Sequence, residues 1–249
     1  MGSSRAPPQP TRSTTSPLSR SMTDTEHPRS IRSFVIREGR ITEAQERALE
    51  ALWPKYGVEF SNEPLSFDVL FARQAPRTVE IGFGNGENLA EMASAHPERD
   101  YLGIEVHRPG VGRLLLALEE RKLTNVRVAC HDAVEVLTRQ VPAQSLDEVV
   151  ILFPDPWPKK RHHKRRLVQS TFVELVIERV QPGGTVRMAT DWAPYAQEML
   201  ATLQANPRLQ NLSPDGTYIP RPADRIVTRF EKRGERLGHE VWDLAFRRI

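Results

Sequence analysis

The sequence predicts an α/β protein built on a largely parallel sheet wrapped by helices. Three observations predict it. From Arg77 onward, short β-branched and aliphatic runs alternate with segments of helical period. A glycine-rich stretch, Gly82-Phe83-Gly84-Asn85-Gly86, stands where the first run gives way to a helix, and acids close successive runs at their carboxyl ends. Such alternation marks strands joined by crossover helices, and the carboxyl edge of such a sheet is where ligands bind.

Residues 1–30 are dominated by Ser, Pro, Thr and Arg with almost no large apolar side chain, so burial cannot offset the entropy of ordering them. A disordered tail is expected there, and one folded domain over 31–249. Thr42 and Gln45 form a capping-box pattern ahead of Ala48, Leu49 and Leu52, which predicts a short helix ended near Pro54. Strands are then expected over 77–81, 100–105, 126–130, 148–153 and 185–189. Helices over 88–95, 110–122, 133–139, 167–180 and 193–204 alternate with them. Gln181-Pro182-Gly183-Gly184 stops the long helix and returns the chain to the sheet. A loop rich in Pro, Asn and Asp follows, and 239–249 alternates as a closing strand. There is no internal repeat.

With 249 residues, 39% hydrophobic and 27% charged, the composition is that of an ordinary globular protein with room for one substantial core. The single Cys130 excludes an internal disulfide framework and a thiolate-rich metal site. It shares the apolar phase of its strand with Val126 and Val128, so a buried, inert thiol is expected. No run approaches the roughly 18 to 20 apolar residues that span a bilayer, and the arginines and prolines of the N-terminus include no apolar signal region. A cytoplasmic location is therefore expected. The net charge of +3 and pI of 9.2 are only mildly basic, but the charge is unevenly spread. Lys159, Lys160, Arg161, Lys164, Arg165 and Arg166 form one knot; Arg221, Arg225, Arg229, Lys232, Arg233 and Arg236 form another. Clustering of this kind is the footprint of a nucleic-acid binder.

Glu80 stands just ahead of the glycine stretch. Glycines at a strand–helix junction let backbone approach a ligand and free amides at the helix start, although a tight turn alone also calls for them. The spacing is GxGxG rather than the GxGxxG of dinucleotide sites, and the Glu80 carboxylate would repel a pyrophosphate. It would meet the ammonium of S-adenosylmethionine, which the pattern favours. Glu105 closes the second strand about 20 residues beyond the loop, where a carboxylate can accept from ribose hydroxyls. Asp132 closes the third and can reach an adenine amino group. Any one of these acids alone reads as a surface residue; together with Gly82, Gly84 and Gly86 they outline a cofactor site.

The stretch 153–166 reads FPDPWPKKRHHKRR. Its prolines forbid helix or ladder continuation, so Asp155 sits just past the carboxyl end of a strand, in a turn directly before eight residues that are all Lys, Arg or His. Basic runs are usually solvated faces, but this one adjoins a pocket and favours a phosphate track. His162 and His163 have no partner at metal-ligand spacing, so they count as basic surface and no metal is expected. Two roles are open to Trp157: stacking on an extruded base, or wedging the turn against the sheet. Two are likewise open to Asp191, which either approaches a substrate at the sheet edge or caps the helix that follows it.

These residues bring the chain close to a known family. The segments EIGFGNG, YLGIEVHRPGVG, ACHDAVEVL, FPDPWPKKRHHKRR, QPGG, MATDWAPYA and RPADRIVTRFEKRGERLGHEVWDL resemble the tRNA (guanine-N7)-methyltransferase family over most of 31–249. FPDPWPK and TRFEKRG are specific to that family among methyltransferases, whereas the glycine loop is widely shared. The resemblance implies a Rossmann-like, seven-stranded S-adenosylmethionine-dependent methyltransferase sheet, mostly parallel with a reversed last strand and helices on both faces. It implies methyl transfer from S-adenosylmethionine to N7 of a guanine in the tRNA variable loop, at position 46, giving 7-methylguanosine.

Residue by residue, the resemblance assigns Glu80, Glu105, Asp132 and Asp155 to the cofactor, with Asp155 also catalytic. It assigns Lys159, Asp191, Thr228, Arg229, Phe230 and Glu231 to the substrate, and Arg161, His162, His163, Lys164, Arg165 and Arg166 to RNA. Nothing in the family pattern matches the tail. An amino-methylating nucleic-acid enzyme is the alternative, since Asp-Pro-Trp is similar to the Asp-Pro-Pro-Tyr turn of that class. A non-catalytic RNA-binding protein and a small-molecule methyltransferase are further alternatives, disfavoured by the complete set of acids and by the basic clusters respectively. The choice between monomer and homodimer, and any need for a partner subunit, are left open.

Overall fold

Thr42 opens the first helix in the way its sequence dictates. Its hydroxyl accepts from Gln45 N at 3.3 Å, and Gln45 Oε1 accepts from Thr42 N at 2.8 Å, so two otherwise orphaned amides are satisfied reciprocally. The computed structural model describes residues 1–2, 33–34, 40–227, 231 and 240–249. All but two residues of the expected tail, together with Thr228, Arg229 and Phe230, lie outside the described residues.

In chain order the elements are α1 (Glu43–Tyr56), β1 (Gly57–Val58), α2 (Phe67–Phe71), β2 (Arg77–Ile81), α3 (Glu87–Ala95), β3 (Asp100–Ile104) and α4 (Arg108–Glu120). Then come β4 (Val126–Ala129), α5 (Ala133–Arg139), β5 (Leu146–Leu152), a 3-10 turn (Lys160–Arg165) and α6 (Ser170–Arg179). The chain closes with β6 (Val180–Thr190), α7 (Ala193–Gln204), β7 (Leu209–Asn211) and β8 (Trp242–Arg248).

The strands form one sheet in the order β1-β4-β3-β2-β5-β6-β8-β7. Every pairing from β1 to β6 is parallel, and β8 runs antiparallel to both β6 and β7, so β8 alone is reversed. Eight strands are described rather than the seven expected; the addition is β1, two residues beside β4. The strand order turns around between β2 and β5, which opens a crevice at their carboxyl ends.

Two apolar clusters cover the two faces. On β2, Val79 and Ile81 face the cluster built with α5, α6 and α7, whereas on β5 Val150 faces the one built with α1, α3 and α4. β5 thus serves two cores, which is why its second half, Val149 to Leu152, reads as a continuous apolar run, whereas β2 alternates apolar Val79 and Ile81 with polar Thr78 and Glu80.

Several boundaries differ from expectation, and three of them have a physical cause. α1 runs through Pro54 to Tyr56; Pro54 is exposed, so the carbonyl left without its helical donor faces solvent. α6 begins at Ser170 rather than at 167, because the chain is held by the Arg166 contacts described below. Gln181-Pro182-Gly183-Gly184 belongs to β6 as a wide irregularity: Leu146 pairs with Val180 and Glu148 with Thr185, so five residues on one strand answer two on the other.

α4 packs its first turn against the glycine loop. A Cβ at Gly110 would lie 2.1 Å from the Gly84 carbonyl oxygen, and backbone stands on both sides of that contact. Gly110→Ala is therefore expected to destabilise the fold by about 1–3 kcal/mol, measured as a drop of several degrees in melting temperature.

Candidate active site

β2 delivers the chain into a loop in which Gly82, Gly84 and Gly86 have φ of 70°, 58° and 75°. Residues with a Cβ avoid this region, and at Gly82 and Gly84 the missing Cβ would point into open space. Gly86 lies a step back as the N-cap of α3, where a Cβ would strike Leu114.

Glu80 is buried under the loop and accepts from Asn88 Nδ2 at 3.2 Å. Burial pushes its carboxyl up to about 7, against the opposing effects of the Asn88 hydrogen bond and the Arg187 charge. Asn88 Oδ1 is buried without a hydrogen-bond partner among the described residues. Both side chains line a cavity of about 280 Å³ with Gly82, Gly84, His107 and Phe153.

A second cavity of about 220 Å³ is lined by Gly82, Glu105, His131, Phe153, Pro154 and Asp155. The two share Gly82, Leu152 and Phe153, so they are neighbouring lobes along the carboxyl ends of β2 and β5. Asp155 is exposed and turned into the lobe that contains Glu105, not away from it.

Glu105 also braces the loop. Its Oε2 accepts from Gly84 N at 2.8 Å and its Oε1 from Val106 N and His107 N at 2.7 and 2.9 Å. Asp132 is the N-cap of α5, accepting from Val134 N at 2.8 Å; its neighbours His131 and Ala133 form the wall. His131 stacks on Phe60 with ring centroids 3.8 Å apart, a contact that sequence reading missed. Asn88 was missed too, although a buried Asn on the inner face of a helix, eight positions after Glu80, was a usable signal.

The turn after β5 is strained. Phe153 and Trp157 have φ of 52° and 43°, a region that costs bulky residues of order 1–3 kcal/mol and that gathers at functional sites. Trp157 is committed locally: its Nε1 donates to Ser33 O at 3.1 Å, His162 meets its ring edge-on at 5.8 Å, and the Arg165 guanidinium lies 5.0 Å over it. Of its two roles, packing is the one these contacts fill.

Lys159, Lys160, Arg161 and Lys164 are exposed, and His162, His163 and Arg165 are half-buried. Slight desolvation and four surrounding cations hold His162 below the ordinary imidazole range. Arg166 corrects the expectation of a uniform RNA-facing run. It is buried at 3% exposure, donates from Nε to Pro156 O at 2.8 Å, pairs with Glu198 and covers the Tyr195 ring at 4.8 Å.

Asp191 is half-buried past β6, but the N-cap of α7 is Trp192, so the capping role falls away. Glu231 is buried against Arg225, which removes Arg225 from the second basic knot; Arg221 is exposed there. Cys130 is half-buried, with its thiol pushed up by burial, as suits an inert residue. A larger cavity of about 580 Å³ lies at the opposite, amino-terminal edge of the sheet. There Arg187 is already matched by Glu148 and Asp224. Among the described residues no helix is long and apolar enough to cross a membrane.

Comparison with known proteins bears on this geometry. A family model described as "Putative methyltransferase" matches residues 74–244. The tRNA (guanine-N(7)-)-methyltransferase of Stutzerimonas stutzeri is 57% identical over 221 residues, 89% of this chain and 93% of that protein. The chain belongs to the tRNA (guanine-N7)-methyltransferase family. A second family member, from Hydrogenovibrio crunogenus, is 52% identical over 239 residues, 96% of this chain and all of that protein. The family's sheet is also similar to that of the 16S rRNA methyltransferase KamB, with a TM-score of 0.53 at 15% identity over 74% of this chain and 93% of that one. That likeness establishes the Rossmann-like methyltransferase fold.

Glu80 also sets a pH dependence. Its folded-state value lies above its unfolded one, so its contribution to stability is full below about pH 4.5 and is lost as pH rises through about 7. Glu80→Gln is expected to flatten that decline, on the order of 3 kcal/mol in all, in denaturant unfolding compared across pH.

Proposed function

We propose that this chain transfers a methyl group from S-adenosylmethionine to N7 of a guanine in tRNA, at position 46 of the variable loop, forming 7-methylguanosine. The observation that carries the proposal is the shared lobe: Asp155 and Glu105 line one cavity at the sheet switch point, and the exposed cations begin four residues after Asp155.

The residues present fit the cofactor. The buried Glu80 carboxyl and the unpartnered Asn88 Oδ1 would hold an ammonium, and the open faces of Gly82 and Gly84 leave room for the amino-acid end. Glu105 keeps one acceptor site, on Oε2, for a ribose hydroxyl beyond its three backbone bonds, and Asp132 would meet the adenine amino group from the rim. S-adenosylmethionine supplies the electrophilic sulfonium methyl group when bound.

Guanine N7 carries an in-plane lone pair and no proton, so the chain need not provide a general base. Its contribution is positioning, with N7 held near contact distance and aligned. Asp155 accepts hydrogen bonds from guanine N1–H and the amino group, a donor pattern adenine lacks, and stabilises positive charge as it develops on the purine. Lys159, Asp191, Thr228, Arg229 and Phe230 complete the substrate contacts, whereas Glu231 is buried with both carboxylate oxygens occupied by Arg225. Arg161, His162, His163, Lys164 and Arg165 follow the RNA backbone.

Labelled S-adenosylmethionine with unmodified tRNA, followed by mapping of the methylated nucleotide, tests the whole reading. Strand scission by aniline after reduction is expected at one guanine, whereas a methylated exocyclic amine would resist it. Asp155→Asn is expected to lower kcat on the order of 100-fold; unchanged turnover at full cofactor occupancy would remove Asp155 from the transfer step. With Arg166 buried, about five cations face phosphate, so log affinity for tRNA should fall against log salt with a slope of about −3.5. A flat salt response in filter binding would contradict the track.

A further inference from the structure

Three charged side chains occupy the junction where the segment after β7 returns to the sheet. Arg225 Nη1 and Nη2 donate to Glu231 Oε2 and Oε1 at 2.7 and 2.8 Å, a two-pronged bond. Nη2 also donates to Asp243 Oδ2 at 3.0 Å, and Nε lies 2.7 Å from Asp243 Oδ1, on β8. All three are buried, with Arg225 6%, Glu231 3% and Asp243 4% exposed. The same guanidinium lies 5.7 Å from the Phe153 ring. Phe153 is the first strained residue of the turn that carries Asp155.

One cation against two carboxylates leaves an excess buried negative charge, an arrangement that favours specific geometry over stability. Nor is Arg225 needed merely to attach the segment. Its neighbour Asp224 is already bolted to β6, where Arg187 Nη1 donates to both carboxylate oxygens at 2.9 and 2.8 Å. What Arg225 adds is contact with three separate parts: the closing strand, the Glu231 end of the substrate segment, and the Asp155 turn.

We infer that Arg225 is a positioning residue that ties the Asp155 turn to Glu231 and to the closing strand, so that Asp155 is held where the guanine binds. The inference rests on the proposed function, because that reading gives Asp155 the guanine as its partner. Arg225 touches neither substrate nor cofactor in this scheme. It acts through Phe153 and Glu231, and because Phe153 also borders the cofactor lobes, its loss should weaken tRNA turnover far more than cofactor affinity.

The test is steady-state methyl transfer to tRNA by the wild-type chain, Arg225→Lys and Asp243→Asn, with KM and kcat obtained for each. Melting temperature and affinity for S-adenosylhomocysteine are measured on the same preparations. Lysine keeps the charge but not the planar fork. kcat/KM for tRNA is expected to fall about 100-fold, the scale of a misplacement of about 1 Å, with S-adenosylhomocysteine affinity changed less than about twofold. Asp243→Asn removes the excess negative charge and leaves Arg225 paired with Glu231, so the fold is retained. Its kcat/KM for tRNA is expected to fall about 5-fold, again with cofactor affinity unchanged.

A folded Arg225→Lys with wild-type tRNA kinetics overturns the inference, as does a loss that cofactor affinity shares equally. If Arg225→Lys does not fold, Asp243→Asn decides on the same readout, and unaltered tRNA kinetics overturns it. Absence of tRNA methylation by the wild-type chain would sink the functional reading and this inference together; normal behaviour of the variants sinks the inference alone.

Discussion

The parallel ladder between β2 and β5 is the constraint on which the rest of the structure depends. Thr78, Val79, Glu80 and Ile81 stand level with Glu148, Val149, Val150 and Ile151, so the glycine loop and the Phe153 turn leave the sheet side by side. Neither motif forms a cleft alone. Because side chains alternate along a strand, a slip of one residue in this register would also send Glu80 to the opposite face. Apolar packing on both faces of β5, and around Val79 and Ile81 on one face of β2, opposes such a slip.

The charges near the cleft follow from that register. Glu80, Val150 and Arg187 occupy one cross-strand row over β2, β5 and β6. Arg187 sits close enough to favour the Glu80 anion, but Glu148 and Asp224 already claim its donors. Desolvation therefore prevails at Glu80, whose carboxyl is left near neutrality in a chamber that keeps a further unpartnered oxygen on Asn88. Glu105 is held differently. Three backbone amides point at its oxygens, and these bonds tie the glycine loop to the end of β3.

Much of this was legible in the residues. The spans of β2, α5 and α7 match their expected limits, and Asp155 does share a lobe with Glu105. β1 and β7, two and three residues long, are too short to display a period, so nothing in the sequence announced them. Charge pattern could not tell Arg166 from its five basic neighbours, because its burial arises from Tyr195 and Glu198, some thirty residues along the chain. Arg225 was misread for the same reason: its partners Glu231 and Asp243 converge only when β8 inserts beside β6. The left-handed backbone at Phe153 and Trp157 was equally hidden, since neither residue type advertises it.

The hydrogen bond from Arg166 to the Pro156 carbonyl closes a ring of eleven residues around the cationic turn. Its two ends meet next to Asp155, and the far side of Arg166 is sunk into the packing of α7 through Tyr195 and Glu198. Slack is thereby taken out of the segment at its base. A load on the outward lysines would therefore bear on a hoop whose clasp adjoins the acid.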